Sequence, residues 1–253
     1  MFNNNTDREW ERIGKHTPYY GVLVDERFHI SNLTDEIKEE FFQSGIDYIN
    51  HVIRNVRQHI DQDFSIRSAL DFGCGAGRLV IPLAGVAQNV IGVDVSDSML
   101  KEARKNCEER SIGNVELIKS DDSLSGLNGK FDFIHSIIVF QHIPVKRGER
   151  IFANLIKHLD DNGVCVVHFM YSRYKKTKRF ISFIKKFVPF SVNLINWTRG
   201  KGFMTPHMQM NAYNLNRLFM MMQKAKVTEY FAEFSDHGGY LGVILYFKKP
   251  TQS

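Results

Sequence analysis

A doubly wound α/β sheet of about seven strands is the fold this sequence predicts, on three observations. Short apolar runs alternate with helical patterns between Ser68 and Tyr171. A glycine-rich turn, "LDFGCGAGRL", follows the first of these runs. The final two runs, "VTEYFAEF" and "YLGVILYFKK", are joined only by "SDHGG". Strands that alternate with helices require right-handed crossovers and build a parallel sheet covered on both faces. A connection as short as "SDHGG" cannot make such a crossover, so the last strand is expected to be antiparallel.

The elements follow in order. From Thr34 to about Ile60 the apolar residues Phe42, Ile46, Ile49, Ile53, Val56 and Ile60 recur at steps of three and four, the signature of a helix with one buried face. Thr34, Asp35 and Glu36 suit its first turn, where side-chain oxygens and negative charge satisfy open amides. Next come "SALDF" with a helix from about Ala76, "NVIGVDV" with "SDSMLKEARKNCEER", and "NVELIKS". "FDFIHSIIVF" with "ERIFANLIKHL" and then "GVCVVHFMY" complete the alternation. "NAYNLNRLFMMMQKA" predicts a helix before the closing hairpin.

Composition narrows the classes. With 253 residues and 43% hydrophobic content the chain is long enough for one large core. No run of eighteen or more apolar residues occurs and the N-terminus is polar, so a cytoplasmic protein is expected. Cys74, Cys107 and Cys165 cannot all pair and lack metal-ligand spacing; reduced thiols and no metal are expected. A net charge of +5 permits anionic partners without choosing among them. The positive charge is densest in "YSRYKKTKRFISFIKK", where Phe180 and Phe183, with Phe187 just beyond, interleave with the lysines. That segment reads as a lid helix with a solvated basic face, as cover for an acidic acceptor, or, over 171–190, as a contact with anionic lipid. No basic stripe on a nucleic-acid module is evident, and nucleic acid is not expected as a partner.

The glycine turn carries the most chemistry. In the dinucleotide fingerprint the glycines fall as G-x-G-x-x-G; here Gly73 and Gly75 fit, Arg78 takes the third place and Gly77 arrives one residue early. The Lys-Ser/Thr of a phosphate loop is absent. A tight turn that lets backbone approach a ligand is left. Asp94 closes the second strand, placed to accept hydrogen bonds from a ribose, with Val95 and Met99 as apolar cover for an adenine. Asp121, Asp122 and Ser123 close the third strand, where a carboxylate could accept from the adenine amine.

Through "LDFGCGAGRL", "VIGVDVSDSML", the Asp121–Asp122 pair and "FDFIHSIIVFQHI", the sequence resembles the class I S-adenosylmethionine-dependent methyltransferases, whose Rossmann-like sheet ends in a reversed strand. The resemblance implies S-adenosylmethionine as cofactor. Asp71, Gly73, Gly75 and Gly77 would surround its methionine portion, Asp94 its ribose, and Asp121 and Asp122 its adenine. Ser136 and Gln141 would lie at the methionine end, with Arg78 as a neighbour. The implied layout is a single domain: a helical cap over 1–65, a cofactor-binding core over 66–170, a basic insertion or lid over 171–210, and a helix with an antiparallel hairpin over 211–253.

Methyl transfer needs an aligned acceptor and, for a hydroxyl, a base. Three histidines follow the later strands: His142 in "FQHIP", His168 in "VVHFM" and His237 in "SDHGG". "HTPYYGVLVDERF" resembles a segment of methyltransferases from bacterial sugar and polysaccharide pathways that closes over the cofactor. By that likeness Tyr19 or Tyr20 would reach the methionine carboxylate, and Asp25 or Glu26 the acceptor. The expectation is O-methylation of a sugar or glycan, lipid-linked or anionic, at the inner membrane face. Another small metabolite or amine, or a scaffold that has lost catalysis, are the alternatives.

Overall fold

The computed structural model describes residues 6–174 and 208–251. Most of the basic insertion, including the expected lipid-facing helix within 171–190, lies outside the described residues. One seven-stranded sheet organises the chain: β1 (Ile66–Phe72), β2 (Ala87–Asp94), β3 (Val115–Lys119), β4 (Phe131–Ser136), β5 (Leu159–Arg173), β6 (Tyr230–Asp236) and β7 (Tyr240–Lys248). Their order across the sheet is β3-β2-β1-β4-β5-β7-β6. β1 to β5 run parallel, and β7 is antiparallel to both its neighbours. The order reverses between β1 and β4, the crevice where open α/β sheets bind ligands.

Three helices precede the sheet: α1 (Thr6–His16), α2 (Pro18–Val22) and α3 (Asp35–His59). α3 is the helix that the apolar spacing predicts, and the Thr34 hydroxyl caps it by accepting from Ile37 N. Its buried face differs in detail from the expected one. Phe41, Gly45 and Val52 join Phe42, Ile49 and Val56 in the core, whereas Ile46 is exposed. The face turned inward is set by a close approach to the glycine turn, because a Cβ on Gly45 would lie 2.1 Å from the Arg78 carbonyl oxygen.

The helix expected from about Ala76 starts later, as α4 (Val80–Ala84), since the residues before it are used in the turn. α5 (Asp97–Glu109) is capped by Ser96, whose hydroxyl accepts from Met99 N at 3.0 Å. α6 (Val145–His158) and α7 (Leu215–Lys224) cover the opposite face from α3. The two faces hold separate apolar cores. Ala69, Phe133, Val164 and Tyr246 pack toward α3, and Leu70, Ile134, Cys165 and Phe247 toward α6 and α7. Alternate residues of one strand thus serve opposite layers.

Candidate functional site

The turn after β1 explains why its glycines alternate. Gly73, Gly75 and Gly77 have φ of +79°, +52° and +89°, in the region that side chains disfavour. Space is short as well. A Cβ on Gly73 would meet Val139 Cγ2 at 2.4 Å, and one on Gly75 would meet Val22 Cγ2 at 2.7 Å. The turn is held against β2 by Gly73 N and Cys74 N, which donate to Val93 O at 2.8 and 3.0 Å. Asp94 finishes the clasp, accepting from Gly75 N at 3.0 Å and from Ser96 N at 2.9 Å. Burial disfavours its charged form and pushes its pKa up to about 6, against the lowering effect of these amides.

A cavity of about 740 Å³ opens at the carboxyl ends of the strands. Its lining includes Gly73, Asp94, Val95, Asp121, Asp122, Gln141, His142 and His237 among the residues singled out from sequence. The others stand behind it. Asp71 sits 3.0 Å from His135 Nδ1 on the α3 side of the sheet, because the β1–β4 register pairs the two positions. Arg78 turns the same way, donating to Ser44 Oγ at 3.3 Å. Ser136 donates to Phe72 O at 2.9 Å, and Met99 is buried under α1 and α2, close to Gly14 and Gly21. The Ser123 hydroxyl is 2.9 Å from Asp121 Oδ1.

Tyr19 also points away from the cavity. Its hydroxyl lies 2.7 Å from Glu102 and 2.9 Å from Asn106, whose amide donates to Ala76 O in the glycine turn. Burial and the neighbouring Glu102 carboxylate push its pKa up, so the phenol holds the turn through Asn106. His168 is fully buried, with Nε2 3.0 Å from Ser235 Oγ, and burial lowers its pKa to about 3. Asp25 is engaged by Arg27.

Two carboxylates of the lining are committed to their own surroundings. Asp121 accepts from Ser123 N and Ser125 N and from both hydroxyls, and these bonds hold its pKa far below the usual range. Asp122 binds Arg147 Nε, and the same guanidinium grips Asp7 through Nη1 at 2.6 Å and Nη2 at 2.9 Å. This bidentate pair fastens α1 over the cavity. α1 is tied down again by Glu11, which accepts from Ser96 Oγ at 2.8 Å and from Ser98 N at 3.1 Å at the start of α5.

The cavity is also lined by Trp10, Val22, Leu23, Val24, Met208 and Met210, and by His237 and Tyr240 from the closing hairpin. His142, 6% exposed, donates through Nδ1 to Gln209 O at 2.8 Å. That bond fixes the tautomer and leaves Nε2 as an acceptor, 3.3 Å from the Gln141 amide nitrogen. Burial lowers the His142 pKa to about 4, so the ring is neutral at physiological pH. Gln141 Oε1 is buried and has no hydrogen-bond partner among the described residues. Ile138, also in the lining, holds φ at +60°, a strained conformation for a β-branched residue.

Sequence reasoning missed Asp7, Trp10, Arg147, Met208 and Met210. Only the Arg147 pairing had a signal, an arginine one turn into the helix after "QHIP". The remainder are brought in by α1 and by the chain returning from the insertion, whose paths sequence spacing does not specify.

The positive-φ cradle, a carboxylate at the end of the second strand and an orphaned buried acceptor on Gln141 fit the ribose and the charged methionine end of a sulfonium nucleoside. The sheet order is that of the class I S-adenosylmethionine-dependent methyltransferase fold. Residues 69–163 match the methyltransferase domain family.

Among curated relatives, the chain is 25% identical over 131 residues to the ubiquinone biosynthesis O-methyltransferase of Rickettsia akari, covering 52% of this chain and 49% of that one. It is 34% identical over 91 residues to the magnesium-protoporphyrin O-methyltransferase of Synechocystis, covering 36% and 39%. The chain thus spans about half the length, or less, of the curated relatives it matches. Neither of these is a sugar or glycan methyltransferase.

The solved magnesium protoporphyrin IX methyltransferase of Synechocystis, with bound S-adenosylhomocysteine (SAH), superposes with a TM-score of 0.60 over 98% of this chain and 96% of that one, at 19% identity. An N-methyltransferase from Bradyrhizobium japonicum, also with SAH, gives 0.58 over 98% and 100%, at 13% identity. At these identities the likeness is one of fold.

Proposed function

We propose that this protein transfers a methyl group from S-adenosylmethionine to an oxygen of a small acceptor with a largely apolar body. The observation that carries the reading is the cavity itself, in which the cradle around Gly73 and Asp94 is continuous with an apolar chamber containing the neutral His142 ring. About 740 Å³ lies within the range of roughly 300–1,000 Å³ typical of small-molecule sites.

The cofactor bound there supplies an electrophilic methyl group on sulfur. Asp94 would accept from the ribose hydroxyls and Gln141 Oε1 from the methionine ammonium. α1, fastened by Arg147 and Glu11, excludes water. His142 Nε2 offers a lone pair that an acceptor hydroxyl can donate to as its oxygen becomes nucleophilic, and His237 stands at the opening. The relatives' names, both O-methyltransferases, support oxygen as the methylated atom.

The lining favours an apolar acceptor over the sugar or glycan expected from sequence. A glycan would bury hydroxyls against Leu23, Val24, Met208 and Met210, whose apolar side chains offer them no strong partner, and Trp10 adds a single N–H donor. Incubation with methyl-labelled S-adenosylmethionine and two acceptor panels, ring-bearing phenols and sugar nucleotides, tests this. Label is expected in the phenols; label only in the sugars would refute the apolar reading. A contact of 171–190 with anionic membrane rests on the composition of that segment. Sedimentation with anionic vesicles, abolished by neutralising Lys175, Lys176, Lys178 and Arg179, is the outcome it requires.

A further inference from the structure

The two ends of the cavity differ in charge. Asp94, Asp121 and Asp122 line the cofactor half, and Arg147 there is saturated by Asp7 and Asp122. The acceptor half ends at the β6–β7 hairpin, with His237 and Tyr240 in the lining. Arg173, at the end of β5, is opposite Tyr240 in the β5–β7 register. Its guanidinium carbon lies 4.4 Å from the centre of the Tyr240 ring. The next residue is pinned to the hairpin, Tyr174 N donating to Gly239 O at 2.9 Å.

No carboxylate pairs with Arg173 among the described residues. Asp236, the hairpin's own acid, accepts from Gly239 N at 2.6 Å. Between Asp161 and Glu229 the sequence contains no aspartate or glutamate. A guanidinium stacked on an aromatic face keeps its planar N–H fork free for bidentate binding of an oxyanion. Stacked on Tyr240, a residue of the cavity lining, such a group can select ligands by charge as well as by shape.

We propose that the acceptor carries an anionic group, a carboxylate, sulfonate or phosphate, beside its apolar body, and that Arg173, backed by Tyr240 and next to His237, binds that group at the cavity mouth. This inference rests on the apolar-acceptor reading above. It assigns a specificity-determining residue that no motif in the chain announces.

The test uses the full-length protein saturated with SAH and two probes of similar shape, anilinonaphthalene sulfonate and the uncharged N-phenylnaphthylamine. Energy transfer from Trp10, with Trp197 replaced by Phe, weights the signal toward the cavity. The parent is expected to bind the sulfonate about tenfold more tightly than the neutral probe, with the preference shrinking as salt is raised. Arg173→Met should lower sulfonate affinity about tenfold and leave the neutral probe and SAH unaffected, while Arg173→Lys should restore part of the preference. Equal binding of the two probes, or a sulfonate affinity unchanged in Arg173→Met, would overturn the assignment alone. Exclusion of both probes would refute the apolar chamber, and this inference with it.

Discussion

Asp94 and His142 are the residues on which the site's chemistry turns, and both are held by backbone. The Asp94 carboxylate is bound to Gly75 N and Ser96 N, which orients its remaining lone pairs toward the cavity. A hydrogen bond to a charged group contributes about 1.5–3 kcal/mol, so Asp94→Ala should weaken SAH binding about ten- to hundredfold by calorimetry. Binding should also weaken as pH falls through about 6, where Asp94 gains a proton and loses accepting strength. His142→Gln should reduce kcat about a hundredfold with little change in SAH affinity.

The two residues displaced from the cavity make contrasting predictions. Tyr19→Phe removes the hydroxyl from the half-buried Glu102 and the buried Asn106 and should cost about 1–2 kcal/mol of stability. It should leave SAH affinity nearly intact, whereas direct contact with the methionine carboxylate would make affinity collapse. His168→Gln should likewise lower the melting temperature without the loss of kcat seen at His142, since His168 is buried beside Ser235.

At the scale of elements, two contacts hold the helical cap in place: α3 against the glycine turn, and α1 over the cavity. Replacing a helical glycine with alanine ordinarily stabilises a helix by about 1 kcal/mol. At Gly45 the sign reverses, because the new Cβ would sit 2.1 Å from the Arg78 carbonyl oxygen. Gly45→Ala should therefore destabilise by about 3 kcal/mol or more in thermal or denaturant melts. Arg147→Met removes the guanidinium that joins Asp7 on α1 to Asp122. SAH should then dissociate about tenfold faster in stopped-flow displacement, with a smaller change in association rate. An unchanged dissociation rate would show that α1 does not cover the ligand.

These elements also mark how far the sequence was legible. The sheet and its reversed strand could be read because alternation and the "SDHGG" connection are local signals. The glycine turn could be read because positive φ restricts residue type directly. The face on which Asp71 lies could not. Strand positions were evident, but the register that sets Asp71 opposite His135 is a long-range property. α1 escaped for a related reason: its polar sequence becomes a roof only through Arg147 and Glu11, partners distant in the chain.

Across the whole molecule, His142, His168 and Asp94 give stability a definite pH dependence. His142 and His168 have pKa values lowered to about 4 and about 3 from an ordinary 6.5. The unfolded chain therefore binds more protons than the folded one below 6.5, and their contribution to stability is lost as pH falls toward 4. Asp94, raised to about 6, acts in the opposite sense, since the folded form keeps a proton that the unfolded chain has released between about 4 and 6. Two groups oppose one, so the ligand-free protein should melt at a lower temperature at pH 5 than at pH 7. Asp94→Asn removes the opposing contribution and should make that fall steeper.

Every role proposed for the site depends on the cradle of Gly73 and Asp94 binding the methyl donor. The most direct test of that binding is titration calorimetry of SAH into the parent and into Gly73→Ala, whose Cβ would stand 2.4 Å from Val139 Cγ2 at a positive φ. The account predicts one site per chain in the parent and loss of that binding in a variant that still melts cooperatively. A parent that gives no heat with SAH, or a folded Gly73→Ala protein that binds it equally well, would contradict the account.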